Sequence, residues 1–217
     1  MLVLALDTAT PASTAALVEV TADGLRGVAE RRTVDPRAHG EKLAPEIAAI
    51  LAEHDVRPRD LAAIVAGTGP GPFTGLRVGL ATAASMAQAL GIPTYGVCSL
   101  DGLGRAAGPG RVLVATDARR REVYWATYLD GVRVTGPDVG RPFLAKDLER
   151  VVGEGGLKYG DVFGVPVEEH LLYPPGAALV ALAAERIREA APSEPLTPLY
   201  LRRPDAVEPT TRKSVLT

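Results

Sequence analysis

The chain has 217 residues, a net charge of −2 and 47% hydrophobic residues, which is the composition of a globular protein with one large domain or two small ones. The near-neutral charge argues against a strong field for nucleic acid, and a single cysteine, Cys98, excludes an internal disulfide. The N-terminal stretch LVLALDTAT does not have the pattern of a signal peptide, and the apolar run 78–92 is too short to cross a bilayer. We therefore expect a cytoplasmic protein that makes no membrane contact.

The first half of the chain predicts a mixed sheet covered by helices. Short apolar or alternating segments predict strands at residues 2–6, 14–20 and 24–34. Helical spacing and further apolar runs then predict a helix at 38–54, a strand at 61–66, a helix that begins at Phe73, a strand at 94–97 and a helix at 99–106. This order is typical of a meander followed by parallel βαβ units, which is an α/β fold.

From Arg111 onward the opening order of strand, acid, turn and strand returns, which indicates a faint internal duplication. A strand at 111–116 ends at Asp117, much as the first strand ends at Asp7. The pattern then predicts strands at 122–129 and 132–134, a helix at 144–151, a glycine-rich turn at 152–161, a helix at 176–190, and a proline-rich arm from residue 192 with a disordered end, TTRKSVLT. We expect one domain at 1–108 and a second, reduced domain at 109–217.

Residues 67–92 are the stretch around which the chain is organised. Four glycines and two prolines occur within nine residues and form a tight turn, which lacks the Lys-Ser/Thr pair of a phosphate-binding P-loop. The helix that follows carries one charge, Arg77, and is apolar on nearly every face, so we expect burial on every side. Small residues at i, i+4 spacing, from Gly75 to Ala87, form a stripe that another backbone can approach closely. Either a second layer of this chain or another protein covers the face that the sheet leaves open.

Four stretches carry a resemblance to a known family: LALDTATPASTAAL, GTGPGPFTGLRVGLATAASMAQALGIP, VATDARRREVYWATY and the ending LYLRR. Together they resemble the TsaB (YeaZ) family, which is related to the TsaD/glycoprotease (peptidase M22-like) superfamily. The resemblance is good over roughly the first 130 residues and looser beyond, and Pro72 stands where the family commonly has serine. It implies an actin-like ATPase fold (ASKHA, ribonuclease H-like) with two linked lobes, mixed sheets and a reduced second lobe.

The resemblance also implies a scaffold subunit with no catalytic residues of its own. Such a subunit pairs with a TsaD-type transferase for threonylcarbamoylation of the tRNA adenosine next to the anticodon. A TsaE-type ATPase joins the larger complex, tRNA is contacted only indirectly, and the subunit forms a homodimer in isolation. The expected interface lies on the helix after the glycine-rich turn: Phe73, Gly75, Leu76, Gly79, Leu80, Ala83, Met86 and Ala87.

Metal chemistry is not expected in this chain. The related catalytic subunit holds its metal with two histidines at i, i+4 spacing on a helix. His39 occupies the first of these positions here, but the second is Leu43, and His54 and His170 are distant in sequence. A single imidazole does not make an iron or zinc site, which needs three or four protein ligands. We expect no cofactor in the chain alone, with ATP or ADP and magnesium bound only in the complex.

Other interpretations remain open at the level of the sequence. Asp7 and Asp117 are candidates for a vestigial nucleotide and magnesium site, or for strand-end acids that only cap turns. Residues 119–121 are three arginines, which either meet a phosphate or an acidic patch or form a solvated hairpin. The alternative functions are an ATP-dependent enzyme of the actin-like fold and a metallo-glycoprotease homologue, and the latter needs the missing second histidine. Catalysis by Cys98 is disfavoured, since a small buried cysteine after a strand is far more common.

Overall fold

The computed structural model describes residues 1–202, so the predicted disordered end TTRKSVLT lies outside the described residues. The first half contains strands β1 (Leu2–Asp7), β2 (Ala12–Val20), β3 (Leu25–Val34), β4 (Leu61–Gly67) and β5 (Thr94–Val97), and helices α1 (His39–Glu53), α2 (Phe73–Leu90) and α3 (Ser99–Ala107). The second half contains strands β6 (Arg111–Arg119), β7 (Glu122–Leu129), β8 (Val132–Gly140) and β9 (Arg150–Val152), and helices α4 (Glu154–Phe163) and α5 (Gly176–Arg188). A short 3₁₀ turn, Pro58–Asp60, leads into β4.

The strands form two mixed sheets with the same plan. The first sheet has the order β3-β2-β1-β4-β5, in which β1, β2 and β3 are an antiparallel meander and β4 and β5 run parallel to β1. The second has the order β8-β7-β6-β9, in which β6, β7 and β8 repeat the meander and β9 runs parallel to β6. This confirms the predicted actin-like, ribonuclease H-like fold with a smaller second lobe, and it makes the internal duplication visible.

Two predictions for the second lobe were wrong. Residues 144–151, predicted as a helix, are irregular and lead into β9, because the apolar end of this segment pairs with the buried strand β6. Residues 152–161, predicted as a glycine-rich turn, contain most of α4. Gly155 lies so close to β6 that a Cβ there would be 2.8 Å from the carbonyl oxygen of Ala115. The glycine at position 155 therefore permits close packing of α4 on the sheet and does not mark a loop.

The proposed boundary at residue 108 separates the two sheets, but the helices cross it. Helix α5, from the second half, packs on the first sheet, where Leu179 and Val180 join a buried cluster with Val3 and Tyr95. Helix α3, from the first half, packs on the second sheet, where Leu100 lies in a cluster with residues of β6 and β7. The two halves of the sequence are thus interlocked and do not form two separable domains.

The C-terminal arm also connects the lobes. Its backbone follows the edge of the first sheet, with hydrogen bonds from the Glu194 amide to the Thr94 carbonyl (2.9 Å) and from the Leu199 amide to the Thr68 carbonyl (2.8 Å). At its end the Arg202 guanidinium donates to the carbonyl oxygen of Ala118 in β6 (2.8 Å) and pairs with Glu122. The proline-rich segment is therefore an extended strap, as predicted, for the part that the structure describes.

The inner face of α2 is covered by this chain itself, which corrects the predicted interface. Six of the eight residues expected to face a partner are buried in the first lobe: Gly75, Leu76, Gly79, Leu80, Ala83 and Ala87. The Thr8 hydroxyl explains the small-residue stripe, because it donates to the Gly75 carbonyl (2.7 Å) and accepts from the Gly79 amide (3.0 Å). The close approach that the glycines permit is therefore with the end of β1, while Phe73 remains exposed and Met86 is partly buried.

Within residues 1–202, none of the helices combines the length and the hydrophobicity that spanning a membrane requires.

Replacing Gly79 with alanine is expected to destabilise the monomer. A Cβ at this position would lie 2.4 Å from the Thr8 hydroxyl oxygen, so the helix must move away and weaken both Thr8 hydrogen bonds. We expect the free energy of unfolding to fall by about 2–3 kcal/mol, measured by urea denaturation. Gly40→Ala is the matched control, since Gly40 lies on α1 and a Cβ added there would have no atom within 4 Å. That variant should gain about 0.5–1 kcal/mol, and equal effects at both glycines would contradict the assignment.

Candidate functional site

A cleft of about 260 Å³ lies between the lobes, at the N-terminal ends of α1 and α2. The loop after β1, the glycine-rich loop before α2 and the end of β6 form its walls. Its polar lining consists of Thr10, Arg37, His39, Thr74, Asp117 and Arg119. Both lobes contribute, since Thr10 follows β1 in the first lobe and Asp117 and Arg119 lie at the end of β6 in the second.

Asp7 does not line this cleft and is 1% exposed. One carboxylate oxygen accepts the Ala9 amide (3.0 Å), and the other accepts the Ser99 hydroxyl (2.5 Å). Gly67 lies against the same oxygen, where a Cβ would clash at 1.8 Å. Burial raises the pKa of Asp7 to about 6, although both hydrogen bonds and the charge of Arg32 oppose the shift. Asp7 therefore connects β1, β4 and α3 as a buried structural acid.

Asp117 faces the cleft, but its carboxylate is already bound by neighbours. The Lys158 ammonium donates to one oxygen (2.8 Å), and the Arg119 amide donates to the other (3.2 Å). The Tyr159 hydroxyl is 3.4 Å from that second oxygen. Asp117 thus holds α4 against the turn that follows β6.

A third acid, Glu154, was missed by the sequence analysis because it fell in the predicted glycine-rich turn. It begins α4 and accepts the Asp117 amide through Oε1 (3.0 Å), while its Oε2 is buried without a hydrogen-bond partner in the described part of the chain. Burial raises the pKa of Glu154 to about 7, and the negative charges of Asp117 and Asp7 add to the shift. Its place just after β9 became visible only in the structure, because residues 144–151 were predicted as a helix.

Asp7 is not placed to bind a magnesium ion in this structure. Magnesium needs carboxylate oxygens that face an open space with room for several waters, and both oxygens of Asp7 are occupied and enclosed. Among the described residues, no group of three His, Cys, Asp or Glu side chains is placed to hold a metal. The cleft is also smaller than the roughly 300–1,000 Å³ of ordinary small-molecule sites.

The His39 side chain contacts strand β2. Its Nδ1 lies 2.8 Å from the Ser13 hydroxyl, and burial lowers the pKa of the ring. Leu43, at the position of the second histidine, is 1% exposed and belongs to the core. Cys98 is also unsuited to catalysis, because burial raises the pKa of its thiol to about 11.

A larger cavity of about 780 Å³ lies on the other side of the β6–β7 turn. We call it the basic pocket, and its lining is Arg120, Arg121, Arg141, Pro142, Lys158, Tyr159 and Val162. The sequence singled out residues 119–121 but not Arg141 or Lys158, which come from after β8 and from α4. The fold divides the arginine triplet, with Arg119 in the cleft and its two neighbours in the basic pocket.

Replacing Glu154 with glutamine is expected to change how stability depends on pH. Because the folded-state pKa lies above the unfolded value of 4.5, wild-type protein loses stability as pH rises from about 4.5 to 7. Glutamine keeps the Asp117 hydrogen bond and has no charge to desolvate. The advantage of Glu154→Gln in free energy of unfolding should therefore grow between pH 5 and pH 8, by on the order of 2 kcal/mol.

Asp161→Asn is the control for this series, because Asp161 is an exposed acid on the same helix. Unfolding curves in urea at pH 5, 6, 7 and 8 measure both variants against wild type. If the difference in free energy of unfolding between Glu154→Gln and wild type does not change with pH, then burial does not raise the pKa of this carboxyl.

Comparison with known proteins gives consistent family matches. Residues 29–199 match the family model described as TsaD: tRNA N6-adenosine threonylcarbamoyltransferase. An uncharacterised protein of Mycobacterium bovis is 49% identical over 204 residues, which are 94% of this chain and 93% of that protein. A Mycobacterium leprae protein is 48% identical over 205 residues, and there the chain spans only 56% of the relative's length.

Two further matches carry the family's name. The tRNA threonylcarbamoyladenosine biosynthesis protein TsaB of Escherichia coli is 39% identical over 132 residues, which are 59% of this chain and 55% of that protein. The structure of YeaZ from Pseudomonas aeruginosa superposes with a TM-score of 0.75 at 30% identity, over 92% of this chain and 99% of that one. The sequence motifs, the interlocked two-lobed fold and these matches agree, and the chain belongs to the TsaB (YeaZ) family.

Proposed function

We propose that the protein is a non-catalytic partner of a TsaD-type transferase and serves the threonylcarbamoylation of the tRNA adenosine next to the anticodon. The names of the TsaB relatives, which assign them to biosynthesis of that nucleoside, support this role. The match to the TsaD family model supports an evolutionary relation between the two subunits. A two-fold homodimer uses the same surface on both subunits, so a related subunit with the same fold could take the place of one copy.

The placement of the acids and the histidine supports a role without catalysis. Asp7 is enclosed between Ser99, Ala9 and Gly67, and Asp117 is bound by Lys158. The histidine position that a metal would need is taken by Leu43 in the core. Asp7 and Asp117, the two acids that the sequence singled out, thus both make structural contacts within this chain.

The single observation that carries the proposal is the outer surface formed by α1 and α2. The two helices pack side by side. Their solvent-facing side chains are mostly small and uncharged, and we call this surface the α1–α2 outer face: Ala44, Pro45, Ala48 and Ala52 on α1, and Thr74, Ala81, Ala84, Ser85, Gln88 and Ala89 on α2. An exposed helix face normally carries many charges, whereas the centres of protein interfaces are depleted of them. The face is therefore suited to close packing against two helices of a partner.

An aromatic cluster borders this face where α2 begins. The Arg77 guanidinium lies 3.6 Å from the centroid of the Phe73 ring, and its Nε donates to the Tyr200 hydroxyl (2.9 Å). The Phe73 and Tyr200 rings are stacked with centroids 5.0 Å apart, and both side chains remain exposed, at 41% and 37%. The only charge of α2 is thus fixed by two rings, and aromatic and arginine side chains are the usual strong contributors to binding.

The same face explains the further partners that we propose. In isolation two copies would pair through it as a homodimer, and the transferase would replace one copy. A paired helix surface of this kind buries about 1,600 Å² in total, which is the standard size for a specific complex. A TsaE-type ATPase would join the assembled pair, ATP or ADP with magnesium would bind only there, and the cytoplasm, where tRNA is modified, would be its location.

Replacing Ala81 with arginine is expected to prevent pairing without unfolding the monomer. Ala81 is exposed in the middle of the α1–α2 outer face, so the new side chain reaches solvent in the monomer but enters the interface in the complex. We expect the dissociation constant for the organism's TsaD-type subunit to rise at least about 100-fold, equivalent to about 2.7 kcal/mol. Isothermal titration calorimetry gives the affinity, and light scattering gives the mass of the protein alone and in the mixture.

Ala177→Arg is the matched control, because Ala177 is an exposed alanine on α5, away from α1 and α2. This variant should bind the transferase subunit with wild-type affinity. If Ala81→Arg also binds normally, the α1–α2 outer face is not the pairing surface. If wild-type protein does not bind the subunit at all, the proposed function fails.

A further inference from the structure

The turn between β6 and β7 separates two cavities that are both lined by cations. Arg37 and Arg119 line the cleft between the lobes. Arg120, Arg121, Arg141 and Lys158 line the basic pocket. Six cations from four segments of the chain therefore meet around one hairpin, in a protein whose net charge is −2. Of the described residues that line the two cavities, Asp117 alone is acidic, and it is bound to Lys158.

The backbone conformation of the turn does not favour arginine. Arg119, Arg120 and Arg121 have φ values of 61°, 54° and 60°, in the left-handed region. This conformation strains any residue with a Cβ, so glycine, asparagine and aspartate are the usual residues of such turns. Three consecutive arginines keep the strain and add positive charge. Strained backbone of this kind is found where the side chains serve a function.

The basic pocket also has a wall for an aromatic base. The half-buried Tyr159 ring and the side chains of Pro142 and Val162 line it beside the arginines. A volume of about 780 Å³ is sufficient for a nucleotide, and single-stranded RNA is bound by stacking of its bases on aromatic rings or guanidinium groups while cations contact its phosphates.

We propose that the basic pocket and the β6–β7 turn bind the phosphodiester backbone of an RNA strand, with an unstacked base against Tyr159. Cations lie on both sides of the turn. A strand with several phosphates that crosses the turn can contact both groups of cations, whereas one free nucleotide cannot. The RNA would be the tRNA substrate of the complex, so the proposal rests on the proposed function. It differs from the expectation that this subunit meets tRNA only indirectly, because the contact lies in its own second lobe.

The test compares tRNA binding by complexes with the TsaD-type subunit that contain either wild-type protein or Arg121→Glu/Arg141→Glu. Fluorescence anisotropy with a labelled, unmodified tRNA transcript is recorded between 50 and 300 mM salt. We expect the double variant to raise the dissociation constant at least about tenfold at 50 mM salt, because two phosphate contacts become repulsive. The slope of log affinity against log salt should fall in magnitude by about one to two units.

Arg59→Glu/Arg105→Glu is the control with the same change of charge, made at exposed arginines outside both cavities. It should keep the wild-type affinity and slope. Arg121→Gly removes one cation and suits the positive φ, so it should weaken tRNA binding while the melting temperature stays unchanged or rises. Loss of binding together with a lower melting temperature would indicate that the arginine serves the fold, which would overturn the proposal.

Light scattering of the same samples separates the two hypotheses. If no complex forms with wild-type protein, the proposed function fails. If the complex forms and the double variant binds tRNA like wild type, or if both double variants lose affinity equally, the RNA site is overturned and the proposed function stands. ATP is titrated in parallel, and a loss of ATP affinity without a loss of tRNA affinity would assign the pocket to a nucleotide and also overturn the RNA site.

Discussion

The packing of both lobes depends on a close approach at the end of β1, where two adjacent side chains contact three other elements. Asp7 accepts the Ser99 hydroxyl at the start of α3 and lies against Gly67 of β4. Thr8 bonds to the backbone of α2 at Gly75 and Gly79. Because these atoms lie so close together, a Cβ at Gly67 or Gly79 would clash with Asp7 or Thr8 and force the elements apart. Burial of the ionised Asp7 carboxylate lowers the stability of the fold at neutral pH, and its hydrogen bonds to Ser99 and Ala9 offset part of this loss.

The second lobe repeats the arrangement with different chemistry. Asp117 stands near the end of β6 as Asp7 stands at the end of β1, and Gly155 of α4 approaches β6 closely. Here Asp117 binds Lys158, and the acid whose pKa is raised by burial is Glu154. The duplicated fold thus places an acid near the end of the first strand of each sheet, and of these two acids Asp117 lines the cleft while Asp7 is buried outside it. Asp7 and Asp117 each accept hydrogen bonds from neighbouring elements of this chain.

Helix α2 has two faces with different roles. Its inner face contacts Thr8 and the core, and its outer face presents small, uncharged side chains beside those of α1. The cations of the basic pocket, in contrast, lie beside the β6–β7 turn in the other lobe. Because the two surfaces belong to different lobes, pairing with a protein and contact with a polyanion can be tested by separate substitutions. The C-terminal strap connects the lobes. Its Tyr200 accepts a hydrogen bond from Arg77 beside the α1–α2 outer face, and its Arg202 donates to the carbonyl oxygen of Ala118 in β6.

The sequence by itself determined most of the strands and helices, the duplication and the family, because alternating and helical periodicities are local and the motif GPGPFTGLR is distinctive. It also determined that the second histidine is missing, since Leu43 is read directly from the chain.

Tertiary structure alone decided which face of α2 is inside, because a stripe from Gly75 to Ala87 fits another backbone equally well whether that backbone is Thr8 or a partner. It likewise decided that residues 154–163 are helical against β6, and that α5 returns to the first sheet. The grouping of Arg37, Arg141 and Lys158 around the arginine turn also required the fold, since these residues are far apart in sequence and meet only through long-range packing.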